Sequence, residues 1–436
     1  MKRRIGWIGL MLLLSMTAWG VQRFPPPQFD SDYQIPQTTT PMPHPPMRDV
    51  VGVVVLLAAL GAASWLTLKK RSRKWIVGLM LFSLLFFGFF RKGCVCSVGS
   101  IGNIALAAFN SEYALPAAVL VFFLAPLVFT LFFGRGFCAG VCPLGAMQDI
   151  VLIRPVRVPE PLEAALRLLA YLYLAFAVLF AATGSLFLIC RYDPFVTFFR
   201  FNGNWNLWVL GISFLLISLF VGRPYCRFLC PYGVILRQLS RISRWRVTIT
   251  PDECIQCRLC EQACPFGAVV KPSRPLPPTE TARSKRTIAF LIVLLPVLAA
   301  LGGWIGSAMH PMLADAHPTV RLANRIDAET AGLVKGQTDA SEAFRASGQD
   351  VQLLRLEAVS IRHRFLVGGI MAGVALGLIA GGKLIASAVP VVRKEYEAHR
   401  AGCFACGRCF AYCPVEQKRR IERSLQGNKN EGAENE

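Results

Sequence analysis

Eight apolar stretches dominate this chain, at about 5–21, 50–68, 75–90, 114–133, 165–189, 205–221, 287–305 and 365–389. Each approaches the roughly 20 residues that a helix needs to cross a bilayer. Hydrophobic residues make up 54% of the 436 and charged residues 17%, whereas a soluble domain carries about 25% charged residues. The pattern predicts an all-α multi-pass membrane protein with about seven or eight transmembrane helices. It excludes collagen, disordered chains and simple soluble enzymes. Residues 1–22 open on Met1-Lys2-Arg3-Arg4 and end near Ala18-Trp19-Gly20, so they read as a signal peptide or an N-terminal anchor. A Pro-rich external segment follows over 23–49, in which Met42, His44 and Met47 offer soft-metal donors but read more simply as an extended linker.

The net charge of +21 follows the rule that Lys and Arg collect in cytoplasmic loops. Lys69-Lys70-Arg71-Ser72-Arg73-Lys74 lies between the second and third stretches and is expected inside. Alternation then places 134–164, 222–286 and 390–436 inside as well. Segment 222–286 holds 12 Lys/Arg against 4 Asp/Glu, while the loop 306–362, expected outside, holds 6 against 7. Charge and alternation agree on a bacterial inner (cytoplasmic) membrane protein in contact with lipid. Nucleic-acid binding is excluded, because the basic residues are scattered over short loops without a groove-reading motif. Val234 to Val247 sets Leu236, Leu239, Ile242 and Trp245 among arginines at helical spacing, which predicts an interfacial helix. The tail 421–436 is polar and reads as disordered.

Eight of the 15 cysteines form two matching runs: Cys254, Cys257, Cys260, Cys264 before Pro265, and Cys403, Cys406, Cys409, Cys413 before Pro414. The spacing C-x2-C-x2-C-x3-C-P is that of bacterial ferredoxins carrying 4Fe–4S clusters. Three thiolates on one tight turn cap three irons, and the fourth reaches the other cluster. Cys254, Cys257 and Cys260 are therefore expected to share a cluster with Cys413, and Cys403, Cys406 and Cys409 with Cys264. Zinc favours separated C-x2-C pairs, and disulfides are disfavoured on a reducing face. The two runs define a small α+β dicluster ferredoxin-like module on the cytoplasmic face, split between 251–272 and 400–416. The intervening 287–389 supplies two transmembrane helices around the external loop 306–362. Arg258 and Arg408, one inside each run, place positive charge beside the expected clusters.

Four more cysteines lie in an internal repeat. Gly134-Arg135-Gly136-Phe137-Cys138-x3-Cys142-Pro143-Leu144-Gly145 matches Gly222-Arg223-Pro224-Tyr225-Cys226-x3-Cys230-Pro231-Tyr232-Gly233, offset by 88 residues. The membrane domain 50–250 thus reads as two helix pairs related by an axis along the membrane normal, a parallel repeat. Cys138, Cys142, Cys226 and Cys230 then form either a further metal or Fe–S centre or tight helix-entry turns, and both readings stay open. Cys94, Cys96 and Cys190 fall near the outer ends of the helices. They make either an outer metal site or structural thiols.

The doubled C-x3-C-P elements followed by ferredoxin runs resemble the membrane polyferredoxins of the NosR/NapH type, with a similar plan in CcoG-type proteins. The likeness covers roughly residues 75 to 271, including Cys190-Arg191-Tyr192-Asp193-Pro194-Phe195. It implies membrane electron transfer through two 4Fe–4S clusters, between a quinol or cytoplasmic donor and a membrane or periplasmic reductase, in the company of partner redox subunits. The alternative is an assembly or maturation factor that supplies electrons or metal to a partner metalloenzyme. Either way a redox component is expected rather than a stand-alone enzyme. The NosR-type flavin-attachment sequence is missing, and there is no C-x-x-C-H for covalent haem.

Overall fold

The computed structural model describes residues 46–93, 96–111, 113–249, 254–273, 277–389, 391–393 and 395–422. The expected signal peptide or anchor (1–22), Pro-rich residues 23–45 with Met42 and His44, Cys94, and tail residues 423–436 lie outside the described residues.

Seven of the apolar stretches fall on described residues, and each is largely helical. Helix α1 (Pro46–Trp65) runs on as a π-helical turn to Lys70, and α2 (Arg73–Ser83) does the same to Phe90. A short α3 (Ser100–Phe109) precedes α4 (Ala117–Phe133). The first C-x3-C-P element forms α5 (Gly136–Gly140) and α6 (Pro143–Ile150). The second half follows with α7 (Glu160–Ala182), the short α8 (Leu188–Arg191) and α9 (Val196–Arg200), and α10 (Trp205–Ser218). Its C-x3-C-P element forms α11 (Pro224–Phe228) and α12 (Pro231–Leu239). Among the described residues, five helices are long and apolar enough to cross a membrane. Helices α4 and α10, at 17 and 14 residues, are only about 26 and 21 Å long, short of a ~30 Å hydrocarbon core.

Three expectations of the primary sequence need correction. The stretch 165–189 breaks at Ala182, where Gly184 takes a left-handed φ of +73° and turns the chain. The loop 306–362 is mostly helical: α14 (Pro278–Ala314) and α17 (Val351–Ala388) extend into it and carry α15 (Pro318–Thr330) and α16 (Asp339–Ala346) between them. The amphipathic helix over 234–247 stops at Leu239, and its Leu236 turns into the core at 1% exposure rather than towards a surface. Trp245 instead stacks on Phe133 with ring centroids 5.4 Å apart.

One apolar core joins both halves of the repeat. Leu56, Leu60, Phe87 and Phe122 from the first half meet Phe195, Tyr225 and Tyr232 from the second. Helices α14 and α17 pack backbone to backbone along Gly302 and Gly306 on one side and Gly369, Gly373 and Gly377 on the other. Small residues at four-residue spacing allow that approach, as in close-packed membrane helix pairs.

Candidate functional site

The chain's two cysteine runs fold into the same loop although 138 residues lie between Cys264 and Cys403. In the first, Gln256 and Arg258 hold left-handed φ values of +51° and +64°; at the equivalent places in the second, Ala405 and Gly407 hold +52° and +75°. Non-glycine residues adopt this conformation at a cost, which persists only where the surroundings demand it. The turn aims backbone N–H groups at sulfur: Ala405 N donates to Cys403 Sγ at 3.4 Å, and Ala268 N to Cys264 Sγ at 3.4 Å. Behind the runs, α13 (Leu259–Gln262) packs on α18 (Arg408–Tyr412), and β1 (Val269–Val270) pairs antiparallel with β2 (Glu397–Ala398) in the register Val269↔Ala398. The two remote segments therefore form one small α+β unit.

The fourth cysteines cross over. Cys254, Cys257 and Cys260 line one cavity together with Cys413 and Arg258. Cys264 lies within electrostatic reach of Cys403, Cys406 and Cys409. Burial pushes the Cys260 thiol up to about 11 and the Cys403 thiol up to about 12. Binding metal there must release those protons. Among the described residues no three His, Cys, Asp or Glu side chains converge on the position of a single ion. A lone zinc needs its sulfurs about 2.3 Å away. Thiols spread around a cavity, with amides donating to them, instead fit a multi-iron cluster.

The four cysteines of the repeat also face one cavity. Cys138, Cys142, Cys226 and Cys230 line it together with Arg135, Phe137 and Tyr232. Cys142 and Cys230 are each the residue before a helix whose first position is proline, and Gly233 N donates to Cys230 Sγ at 3.3 Å. Contacts cross between the halves: Gln148 donates from Nε2 to Cys226 Sγ at 3.3 Å and accepts at Oε1 from Tyr225 N at 3.0 Å. Arg223 donates to the Cys138 carbonyl.

Between this pocket and the second run stand Phe266 and Phe404, with ring centroids 4.7 Å apart. They form a small core with Cys406, against which Cys138, Cys226, Cys264 and Cys403 pack. The equivalent arginines of the two repeats both reach this pair: Arg135 lies 4.1 Å from the Phe404 centroid, and Arg223 lies 5.8 Å from both. His399 accepts from Gly402 N at Nδ1, 3.0 Å away. Burial and the surrounding Arg237, Arg167, Arg393 and Arg241 push it down to about 4, so the ring stays neutral and keeps that acceptor.

Asp149 clamps module and membrane domain together. Its buried carboxylate meets Arg73 at 2.5 Å, Arg408 at 3.4 Å and the fully buried Arg223 at 3.5 Å, and Arg73 also donates to the Cys406 carbonyl at 2.9 Å. The charge of Arg408 is thus engaged by Asp149. Burial raises the Asp149 carboxyl, but Arg223, Arg73 and Arg408 outweigh it and hold the group at about 2, below its ordinary 3.8. Its contribution to stability is complete above pH 3.8 and is lost as the pH falls through about 2. Asp149→Asn leaves Arg223 buried without its counter-charge and should destabilise the fold by about 3–5 kcal/mol; chemical denaturation of the purified protein checks this, and an unchanged midpoint contradicts it. No local pattern marks this cluster, because Arg73 and Arg408 lie 76 and 259 residues from Asp149 along the chain; the one signal was an aspartate close after a C-x3-C-P element.

Of the outer thiols, Cys96 and Cys190 come together over Gly99, and Cys94 lies outside the described residues. A Cβ at Gly99 would sit 3.1 Å from Cys190 Sγ and 3.5 Å from Cys96 Sγ.

Two family models, each described as a 4Fe–4S binding domain, match this chain: one over residues 115–158 and 204–250, the other over 247–270. The first covers both C-x3-C-P elements and the second the first ferredoxin run. The chain is 28% identical over 247 residues to protein NirI of Paracoccus denitrificans (strain Pd 1222), covering 51% of this chain and 36% of NirI. It is 29% identical over 234 residues to the regulatory protein NosR of Pseudomonas aeruginosa, covering 50% of this chain and 33% of NosR. Over this region the chain is similar to membrane 4Fe–4S proteins of the NosR/NapH type. It is also 30% identical over 167 residues to YccM of Escherichia coli (strain K12), covering 34% of this chain and 46% of YccM. The matched region therefore spans less than half the length of each of these relatives. No solved structure matches the chain.

Proposed function

We propose that this protein is an electron relay that carries electrons between a quinol or cytoplasmic donor and a membrane or periplasmic reductase system. The observation that supports it most directly is the series of thiol sites in line: Cys254, Cys257, Cys260 and Cys413; then Cys403, Cys406, Cys409 and Cys264; then Cys138, Cys142, Cys226 and Cys230. Two 4Fe–4S clusters at the first two sites, and a further iron–sulfur centre at the third, supply one-electron redox chemistry when bound. The chain's own residues hold and tune these sites. Phe266 and Phe404 exclude water between the second and third. Arg135 and Arg223 bring positive charge to that junction, and Gln148 and the amides of Ala405, Ala268 and Gly233 donate to sulfur, which favours the thiolate.

The split module, 251–272 with 400–416, faces the cytoplasm of a bacterial inner membrane in this reading. Support comes from the basic loop 69–74, which is on the module's side: Arg71 pairs with Glu416 at 2.9 Å. Lys and Arg mark inside loops.

A Cys138→Ser/Cys142→Ser variant tests the relay. It should keep the reducible clusters of the module, read by EPR, while electron flow from a cytoplasmic donor to the membrane falls to background. Undiminished flow contradicts the relay.

A further inference from the structure

On the face where Cys190 is exposed, the two halves of the chain bring one cysteine each to a common point. Cys96 precedes α3 in the first half, and Cys190 sits in α8 of the second. The loop that carries Cys96 reaches back towards the C-x3-C-P elements: Cys96 lines one cavity with Cys142, and Val98 lines the pocket of Cys138, Cys142, Cys226 and Cys230. Both sulfurs lie within 3.5 Å of the position a Gly99 Cβ would take. Gly99 also donates its N–H to Cys96 Sγ at 3.1 Å, which fixes the sulfur's direction. A side chain at 99 would crowd Cys190 Sγ, which would have to give by a few tenths of an ångström, and would fill the space between the two sulfurs. Cys190 is exposed, whereas Cys96 is half-buried. Beside them Asp193, 3% exposed and without an ion-pair partner among the described residues, lines the same cavity as Cys96 and Cys142.

We propose that Cys96 and Cys190 form a redox-active dithiol whose substrate is a disulfide presented on that face by a partner protein. The exposed Cys190 thiolate attacks a partner sulfur, forming a mixed disulfide and releasing one partner thiolate. Cys96 then attacks Cys190 Sγ, which closes the Cys96–Cys190 disulfide and releases the second partner thiolate. The partner gains two electrons and, with two protons, two thiols. Returning Cys96 and Cys190 to thiols takes two electrons and two protons, and this step rests on the relay reading above for a one-electron iron–sulfur donor used twice. Two cysteines on separate elements that converge over a glycine are what a reversible disulfide needs, since bridging requires the backbones already close.

The test uses the full-length chain in sealed vesicles, in a Cys94→Ser background that leaves one candidate pairing. Diamide should convert Cys96 and Cys190 to a cross-link identified by peptide mass spectrometry, with two alkylatable thiols lost per chain. Gly99→Val should lower the cross-linked fraction severalfold, and Cys190→Ser should abolish it. A one-electron protein donor added on the module's side should restore both thiols. Absence of the cross-link while the module's EPR signals are intact overturns the dithiol and leaves the relay standing. A cross-link that only a phosphine reopens supports the dithiol and contradicts the relay as its electron source.

Discussion

Replacing Cys413 with serine is expected to disable the cluster site of the first cysteine run, not that of its own run. Cys413 faces the cavity lined by Cys254, Cys257 and Cys260. Cys264, the last residue of the first run, faces Cys403, Cys406 and Cys409. The EPR and iron content of Cys413→Ser should therefore resemble those of Cys257→Ser, and Cys264→Ser should resemble Cys406→Ser. Each variant should lose about four irons from a fully loaded protein, one cluster's worth. If Cys413→Ser instead resembles Cys406→Ser, each run holds its own cluster and the crossed arrangement fails. The effect should be large because serine oxygen is a poor replacement for thiolate at iron, and because Cys260 and Cys403, pushed up by burial, must give up protons to bind it.

Gly373→Leu should have a second large effect although residue 373 lies in a membrane-spanning helix away from every cysteine. A Cβ at 373 would meet the Gly302 carbonyl oxygen at 2.0 Å and its carbon at 2.6 Å. Backbone atoms cannot rotate aside, so α14 and α17 must separate. Overpacking a close contact costs about 1–3 kcal/mol and more where nothing can yield. The second cysteine run follows α17, and β2 must return to pair with β1 through Val269↔Ala398. Splaying the hairpin withdraws Cys403–Cys413 from the first run, and both sites share ligands across that division. Iron should fall at both sites, together with a lower unfolding temperature in detergent. Gly382→Leu is the control: nothing lies within 4 Å of a Cβ there, so its iron content should match the unsubstituted protein. Equal iron in Gly373→Leu would show that the hairpin does not position the module.

What was legible in the sequence follows from which interactions are local. The cysteine runs, the C-x3-C-P repeat and seven apolar stretches depend on spacing along the chain, and all reappear as loops, paired elements and helices. The crossing of Cys264 and Cys413 was readable because the ferredoxin spacing already implies it. The Gly302/Gly306 and Gly369/Gly373/Gly377 rows were present at four-residue spacing and passed unread, since glycine there reports a partner backbone rather than a turn. The interfacial helix at 234–247 failed because periodicity cannot tell a lipid-facing Leu236 from one that a neighbouring repeat buries. Asp149 with its three arginines, and the meeting of Cys96 with Cys190, depend on contacts between distant segments. No local pattern encodes them.

The central claim is that three thiol sites stand in line and each holds iron. Anaerobic purification with iron and acid-labile sulfide counting, alongside EPR of the reduced protein, tests it most directly. The account predicts about twelve irons and a similar number of sulfides per chain, falling to about eight when Cys138 and Cys142 are both serine. A native protein that holds about eight irons, with the same count in the double variant, would contradict it.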